Sequence, residues 1–255
     1  MGLYHQISKL MPEGKLKNRF RNIFYKISNS ITLGTKMLIL NKERGIKGRF
    51  HKPLFVRYSD CLEELPGYVG KYVPQKGDVV VDAGAFVGNF AVYASKLVGP
   101  EGKVIAFEPE ESNYRLLKRN IKLNKLKNVI VIKKGLWHKD DLLKFKTKGP
   151  ESCLADFDKE ENLSNTISVV SLDSFFKRNR IKKLDFVKMD IEGAEIRAIE
   201  GMKNLMQANK INFAIASYHI VEGKQTCIKL EKMFKEMGYK SNTGYPRHQT
   251  TYASK

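Results

Sequence analysis

Three consecutive valines, Val79-Val80-Val81, run into the turn Asp82-Ala83-Gly84-Ala85-Phe86-Val87-Gly88 and then directly into an apolar stretch, Phe90–Val98. A β-branched run without polar alternation is a strand buried on both faces. Such a strand needs helices packed above and below it. Gly84 and Gly88 allow a sharp reversal and a close approach of backbone to a ligand. The same grammar recurs downstream. Lys103–Phe107 ends at Glu108-Pro109, a helix is predicted over Ser112–Asn124, and Val129–Ile132 is a third strand. Leu142–Lys146 and Ile167–Val170 read as a pairing hairpin beside the main sheet. Leu184–Met189 and Phe213–Ser217 are further buried strands, and Gln225–Met237 is a helix before two closing strands near Tyr239–Thr243 and Thr250–Ala253. Strands alternating with helices predict an α/β, Rossmann-like fold. Its sheet is mostly parallel and its crossovers are right-handed, which puts helices on both faces.

Residues 1–60 stand apart as a basic lead-in to a domain spanning 61–255. Phe20, Ile23, Phe24, Ile27 and Ile31 recur at helical spacing, so a partly helical segment packed on the body is expected, with an interfacial helix on an anionic membrane as the alternative. The formal net charge is +19, and about half of the excess lies before residue 51. That field favours polyanions or anionic lipid surfaces, though it says nothing about the fold. Cys61, Cys153 and Cys227 are few, odd in number and without CxxC spacing, which argues against a disulfide framework or zinc site. The N-terminus lacks the apolar core of a secretory signal. These features imply a cytoplasmic protein, with a peripheral position on the inner membrane face as the alternative.

In an open parallel sheet, ligands bind beyond the C-terminal strand ends. A dinucleotide loop would read GxGxxG, but here Asp82 stands where that loop wants glycine. A carboxylate there repels pyrophosphate and suits a ligand that carries positive charge. S-adenosylmethionine (SAM), with its ammonium and sulfonium, is such a ligand. Asp82, Gly84, Ala85, Phe86, Gly88 and Asn89 are therefore candidate cofactor positions. Glu108, about twenty residues on, can accept hydrogen bonds from a ribose diol, with Pro109 beside it. Gly135 and Leu136, after the third strand, are expected to bracket an adenine through backbone, and Trp137 to pack as core. The fourth strand leads into Asp190-Ile191-Glu192-Gly193-Ala194-Glu195. These acids repel one another unless a cation or donor-rich ligand sits there. Asp190 faces the transferred group or the ligand's amino acid moiety, and Glu192 sits at a helix start. No histidine adjoins them in sequence, so no metal is expected. His219, after the fifth strand, is the candidate general base.

The strings VVVDAGAFVGNFAVYAS, KVIAFEPEESNYRLLKRNIKLN and LDFVKMDIEGAEIRAIEGM together resemble the FkbM-type methyltransferase family from about Val79 onward. The likeness breaks where Ser217-Tyr218-His219 replaces an acid-x-histidine step. The resemblance implies a seven-stranded class I methyltransferase fold with SAM as cofactor. It also implies O-methylation of a sugar, glycan or other small hydroxylated molecule, with Asp82, Gly84, Gly88, Glu108 and Asp190 at the cofactor. RNA 2′-O-methylation, invited by the charge, is a less favoured alternative. So is a non-enzymatic nucleic-acid-binding protein on a degenerate SAM fold. A nicotinamide-dependent oxidoreductase is disfavoured by Asp82.

Overall fold

The computed structural model describes residues 32–53, 58–146, 153–154 and 165–255. The helical spacing at positions 20–31 lies outside them, as does most of 149–166, which reads as a loop of the kind that carries substrate contacts in such folds.

The central sheet has seven strands, in the order β14-β15-β11-β10-β3-β4-β5. These are β3 (Val79–Ala83), β4 (Lys103–Phe107), β5 (Val129–Ile132), β10 (Phe186–Met189), β11 (Asn212–Ala216), β14 (Lys240–Gly244) and β15 (Thr250–Ser254). Strand β15 runs antiparallel to both neighbours, and the other pairings are parallel. The expected mostly parallel sheet is therefore present. The order reverses at β3, flanked by β4 on one side and β10 on the other, so the ligand crevice opens at the C-terminal ends of β3 and β10.

Alternate side chains feed two cores. Val81, Ile105, Phe107, Val187, Met189 and Phe213 face one. Val80, Val104, Ala106, Phe186 and Ala214 face the other, against α2 (Asn89–Val98) and α3 (Glu111–Leu123). Burying each large side chain contributes roughly 1.5–3 kcal/mol. On the first face lie α4 (Leu172–Arg178), α5 (Glu195–Glu200), α6 (Lys203–Ala208) and α7 (Thr226–Glu236). The helix expected to start at Glu192 is thus two short ones, parted at Gly201-Met202. A Cβ at Gly201 would sit 2.3 Å from the Trp137 carbonyl oxygen, so only glycine fits at the junction.

A smaller four-stranded sheet holds β6 (Gly135–Leu136), β7 (Asp141–Lys146), β8 (Cys153–Leu154) and β9 (Asn165–Val170). In it β7 pairs antiparallel with β9, the expected hairpin partners. Two short strands, β12 (Ile220–Val221) and β13 (Lys224–Gln225), form a ribbon before α7.

The described part of the lead-in is a β-hairpin, β1 (Thr32–Asn41) with β2 (Ile46–Pro53), followed by α1 (Tyr58–Tyr68). Leu38, Leu40 and Phe50 join the core beside α2 and α3. Asn124 Oδ1 accepts from the Arg49 N–H and Asn120 Oδ1 from the His51 N–H, each at 2.8 Å, so α3 satisfies an edge that would otherwise be unpaired. The hairpin is thereby built into the body. Among the described residues no helix is long and apolar enough to cross a membrane.

Candidate active site

The turn after β3 is held by its own amides. Gly84 and Ala85 donate to the Phe107 carbonyl, Gly88 donates to Ala85, and Phe86 donates to Glu108 Oε2 at 2.9 Å. With these N–H groups spent internally, the loop is no phosphate cradle, in keeping with the missing GxGxxG. Gly84 adopts φ +71° and passes so close to β10 that a Cβ would lie 1.8 Å from the Asp190 carbonyl oxygen. The first residue of α2, Asn89, is buried, yet both its side-chain amide atoms lack a hydrogen-bond partner among the described residues. Buried amides are normally satisfied, so this pair points to a ligand.

Asp82 departs from expectation. Its side chain is 0% exposed and faces Lys188 Nζ at 3.2 Å, its register partner on β10. Lys188 also donates to the Gly84 carbonyl at 2.8 Å and lies over the Tyr68 ring. Burial works against the ammonium, but the Asp82 and Asp190 carboxylates more than offset it and raise its pKa. Asp82 thus meets its positive charge inside the protein and offers no surface to a ligand. It shapes the loop from beneath.

Glu108 caps β4 and accepts from the Phe86 and Glu110 N–H groups. Burial pushes its carboxyl up to about 8 from an ordinary 4.5, against the pull of those two donors. A raised carboxyl binds a proton in the folded chain that the unfolded chain has lost. Stability therefore falls as pH rises through the window from about 4.5 to about 8. Glu108→Gln is expected to flatten that fall in melting curves and, with Glu108 in the ribose-binding role expected from the sequence, to weaken SAM binding about tenfold through the loss of one hydrogen bond. A variant that binds SAM as the parent does would refute the ribose role.

Pro109 adjoins Gly135, where a Cβ would reach Val169 and Ile167 at 3.2 and 3.3 Å. The Leu136 side chain is core, and Trp137 packs with Leu143, Ile167, Val169 and Ala194. Only backbone at 135–136 is left to border a nucleoside.

Beyond β10 the chain gathers groups from five segments. Asp190 Oδ2 accepts from the Tyr68 hydroxyl at 2.8 Å and lies 3.6 Å from His248 Nε2. Its Oδ1 lies 3.7 Å from His219 Nε2. Burial would raise Asp190, but His248, Lys188 and His219 hold its carboxyl well below the usual range. Glu192, at φ +56°, places Oε2 3.4 Å from His219 Nε2. Fully buried Glu195 accepts from the Ile191 and Gly193 N–H groups and faces His219 Nδ1 at 3.2 Å. Burial lowers the His219 imidazole, yet Glu192, Glu195 and Asp190 outweigh it and push its pKa up to about 10. In this arrangement His219 carries a proton near neutrality, which corrects the expectation of a free general base. The acid missing before His219 in sequence is supplied in space by Glu192 and Glu195.

Sequence reading missed Tyr68, Lys188 and His248 as site residues, and also Glu64, whose carboxylate lies within 4.8 Å of the polar atoms of Asp190 and His248. Only Lys188, a charge inside an apolar strand, carried a local signal. Tyr68 and His248 lie 122 and 58 positions from Asp190 and meet it only through the fold.

A family profile described as "Methyltransferase FkbM domain" matches residues 82–241. The chain is 28% identical over 145 residues to the hexuronic acid methyltransferase AglP of Haloferax volcanii, covering 57% of each. It is 26% identical over 173 residues to Methyltransferase 1 of Beauveria bassiana, covering 60% of this chain and 66% of that one. The chain therefore spans less than two thirds of the length of these relatives. Among solved structures, the FkbM methyltransferase of Methylobacillus flagellatus KT superposes with a TM-score of 0.52 at 20% identity, over 73% of this chain and 46% of that one. The likeness is one of fold, that of the class I SAM-dependent methyltransferases.

The residues present fit SAM. A loop closed to phosphate, the unsatisfied Asn89 amide and the Glu108 carboxyl suit a nucleoside with an amino acid arm. With most of its length matched by the profile, the chain belongs to the FkbM methyltransferase family.

Proposed function

We propose that this chain is a SAM-dependent O-methyltransferase acting on a hydroxylated, sugar-like acceptor. The observation that carries the reading is Asp190: an ionised carboxylate locked by its N–H to the Ala83 carbonyl, between the Gly84 turn and a ring of hydroxyl and imidazole groups. SAM supplies an electrophilic methyl group, so the protein's task is to align an acceptor oxygen and remove its proton. Asp190 accepts a hydrogen bond from that hydroxyl, and His248, 3.6 Å away, lies where it can share the proton. Tyr68, its phenol held protonated by burial and by Asp190, fixes the carboxylate's orientation. The charge of +19 favours an anionic acceptor, and the similarity to a hexuronic acid methyltransferase supports an acidic sugar.

Methyl transfer from radiolabelled SAM to hexuronate-containing oligosaccharides tests this. Label is expected on a sugar oxygen, with kcat reduced about 10²- to 10⁴-fold in Asp190→Asn. Transfer at the parental rate by that variant would overturn the role of Asp190. Label on transcripts but on no sugar would favour the RNA reading, which the positive charge also supports.

A further inference from the structure

We propose that the wall formed by Asp190, Glu192 and His219 is a binding site for a divalent transition-metal ion. Asp190 Oδ1, Glu192 Oε2 and His219 Nε2 lie within 4.8 Å of one another, close enough to share one ion. The second observation is the state of His219. Its side chain is nine-tenths buried, and although carboxylates surround it, neither ring nitrogen makes a hydrogen bond of acceptable geometry among the described residues. Asp190 Oδ1 is likewise buried without a hydrogen bond, whereas Oδ2 is engaged by Tyr68. Of these atoms His219 Nε2 and Asp190 Oδ1 lie 3.7 Å apart and border the same small space.

The surrounding groups suit a ligand set. Glu195 faces His219 Nδ1 and is itself anchored by two backbone N–H groups, so Nε2 is the nitrogen turned toward Asp190 and Glu192. A carboxylate behind a metal-binding imidazole is the usual outer partner of such a site. One nitrogen and two carboxylate oxygens favour manganese, iron or zinc over magnesium or calcium. The sequence-based expectation of no metal rested on chain neighbours, and the fold supplies the histidine that the motif lacks. In the O-methyltransferase reading, on which this role rests, the ion would help hold the acceptor hydroxyl beside Asp190. The binding itself does not depend on that reading.

The test is titration of Mn²⁺ into the full chain, followed by electron paramagnetic resonance of the free ion. About one equivalent is expected to bind, with affinity lowered at least about tenfold in both Glu192→Gln and His219→Gln. Glu192 is part exposed, so its amide variant should stay folded, which a melting curve checks, and a loss there is not unfolding. A full free-ion signal with excess parent protein overturns the site. So does binding that Glu192→Gln leaves unchanged but Glu64→Gln weakens, because that would place the ion on the neighbouring Glu64, Asp190 and His248 group. Metal binding without methyl transfer to any sugar would leave the site standing and count against the acceptor reading alone.

Discussion

Gly84→Ala is expected to cost about 3–5 kcal/mol of stability and to lower SAM affinity more than about 100-fold. Two effects add. The left-handed φ of +71° costs a residue with a Cβ about 1–2 kcal/mol. The larger effect is a collision: the new methyl would lie 1.8 Å from the Asp190 carbonyl oxygen and 3.2 Å from Ile191 Cγ2. Backbone cannot yield as a flexible side chain does. Ala83 and Met189 are register partners, the Asp190 N–H bonds to Ala83, and Lys188 holds the Gly84 carbonyl, so relief means prising β3 from β10 at the crevice itself. Gly77→Ala is the control. It has φ +83° with no atom within 4 Å of the new Cβ, so it should lose only the conformational part. Chemical denaturation and SAM titration of both variants check this. Equal losses at the two positions would show that the contact with Asp190 is unimportant.

The same crevice shows what the sequence could and could not reveal. The main strands were legible because burial on both faces leaves uninterrupted apolar runs, and the observed bounds of β3, β4, β5 and β11 fall within a residue or two of those read. The hairpin from Thr32 was not legible. Met37 and Ile39 are exposed while Leu38 and Leu40 are buried, so both faces are apolar and the period of two is hidden. The expected repulsion among Asp190, Glu192 and Glu195 was sound physics with an unforeseen answer. His219 and Lys188 supply positive charge and His248 a further polar partner, and no local spacing announces that His248 will arrive through a 3-10 turn, Pro246–His248, beside Asp190. Asp82 failed differently. A carboxylate ending an apolar strand reads as a ligand group until a lysine at the register position of the neighbouring strand is known, and register is a property of the folded sheet.

That buried pair sets the second large effect. Lys188→Met is expected to destabilise the protein by about 3–5 kcal/mol, because it strands Asp82 as an uncompensated charge with no exposed surface. It also removes the donor to the Gly84 carbonyl, so the cofactor turn should loosen and SAM affinity fall with stability. Asp82→Asn should cost less, since Lys188 keeps the Gly84 carbonyl, the Tyr68 ring and the nearby Asp190 charge. If the pair serves charge balance, the double variant Asp82→Asn/Lys188→Met should recover most of the loss seen in Lys188→Met. Urea unfolding of all four proteins would then give a coupling energy above about 1 kcal/mol. Additive losses would mean instead that Lys188 acts chiefly through the Gly84 carbonyl, and that Asp82 is held by packing. Restored stability without restored SAM binding would separate the two duties of the lysine: balancing a buried charge, and holding the turn in the shape the cofactor requires.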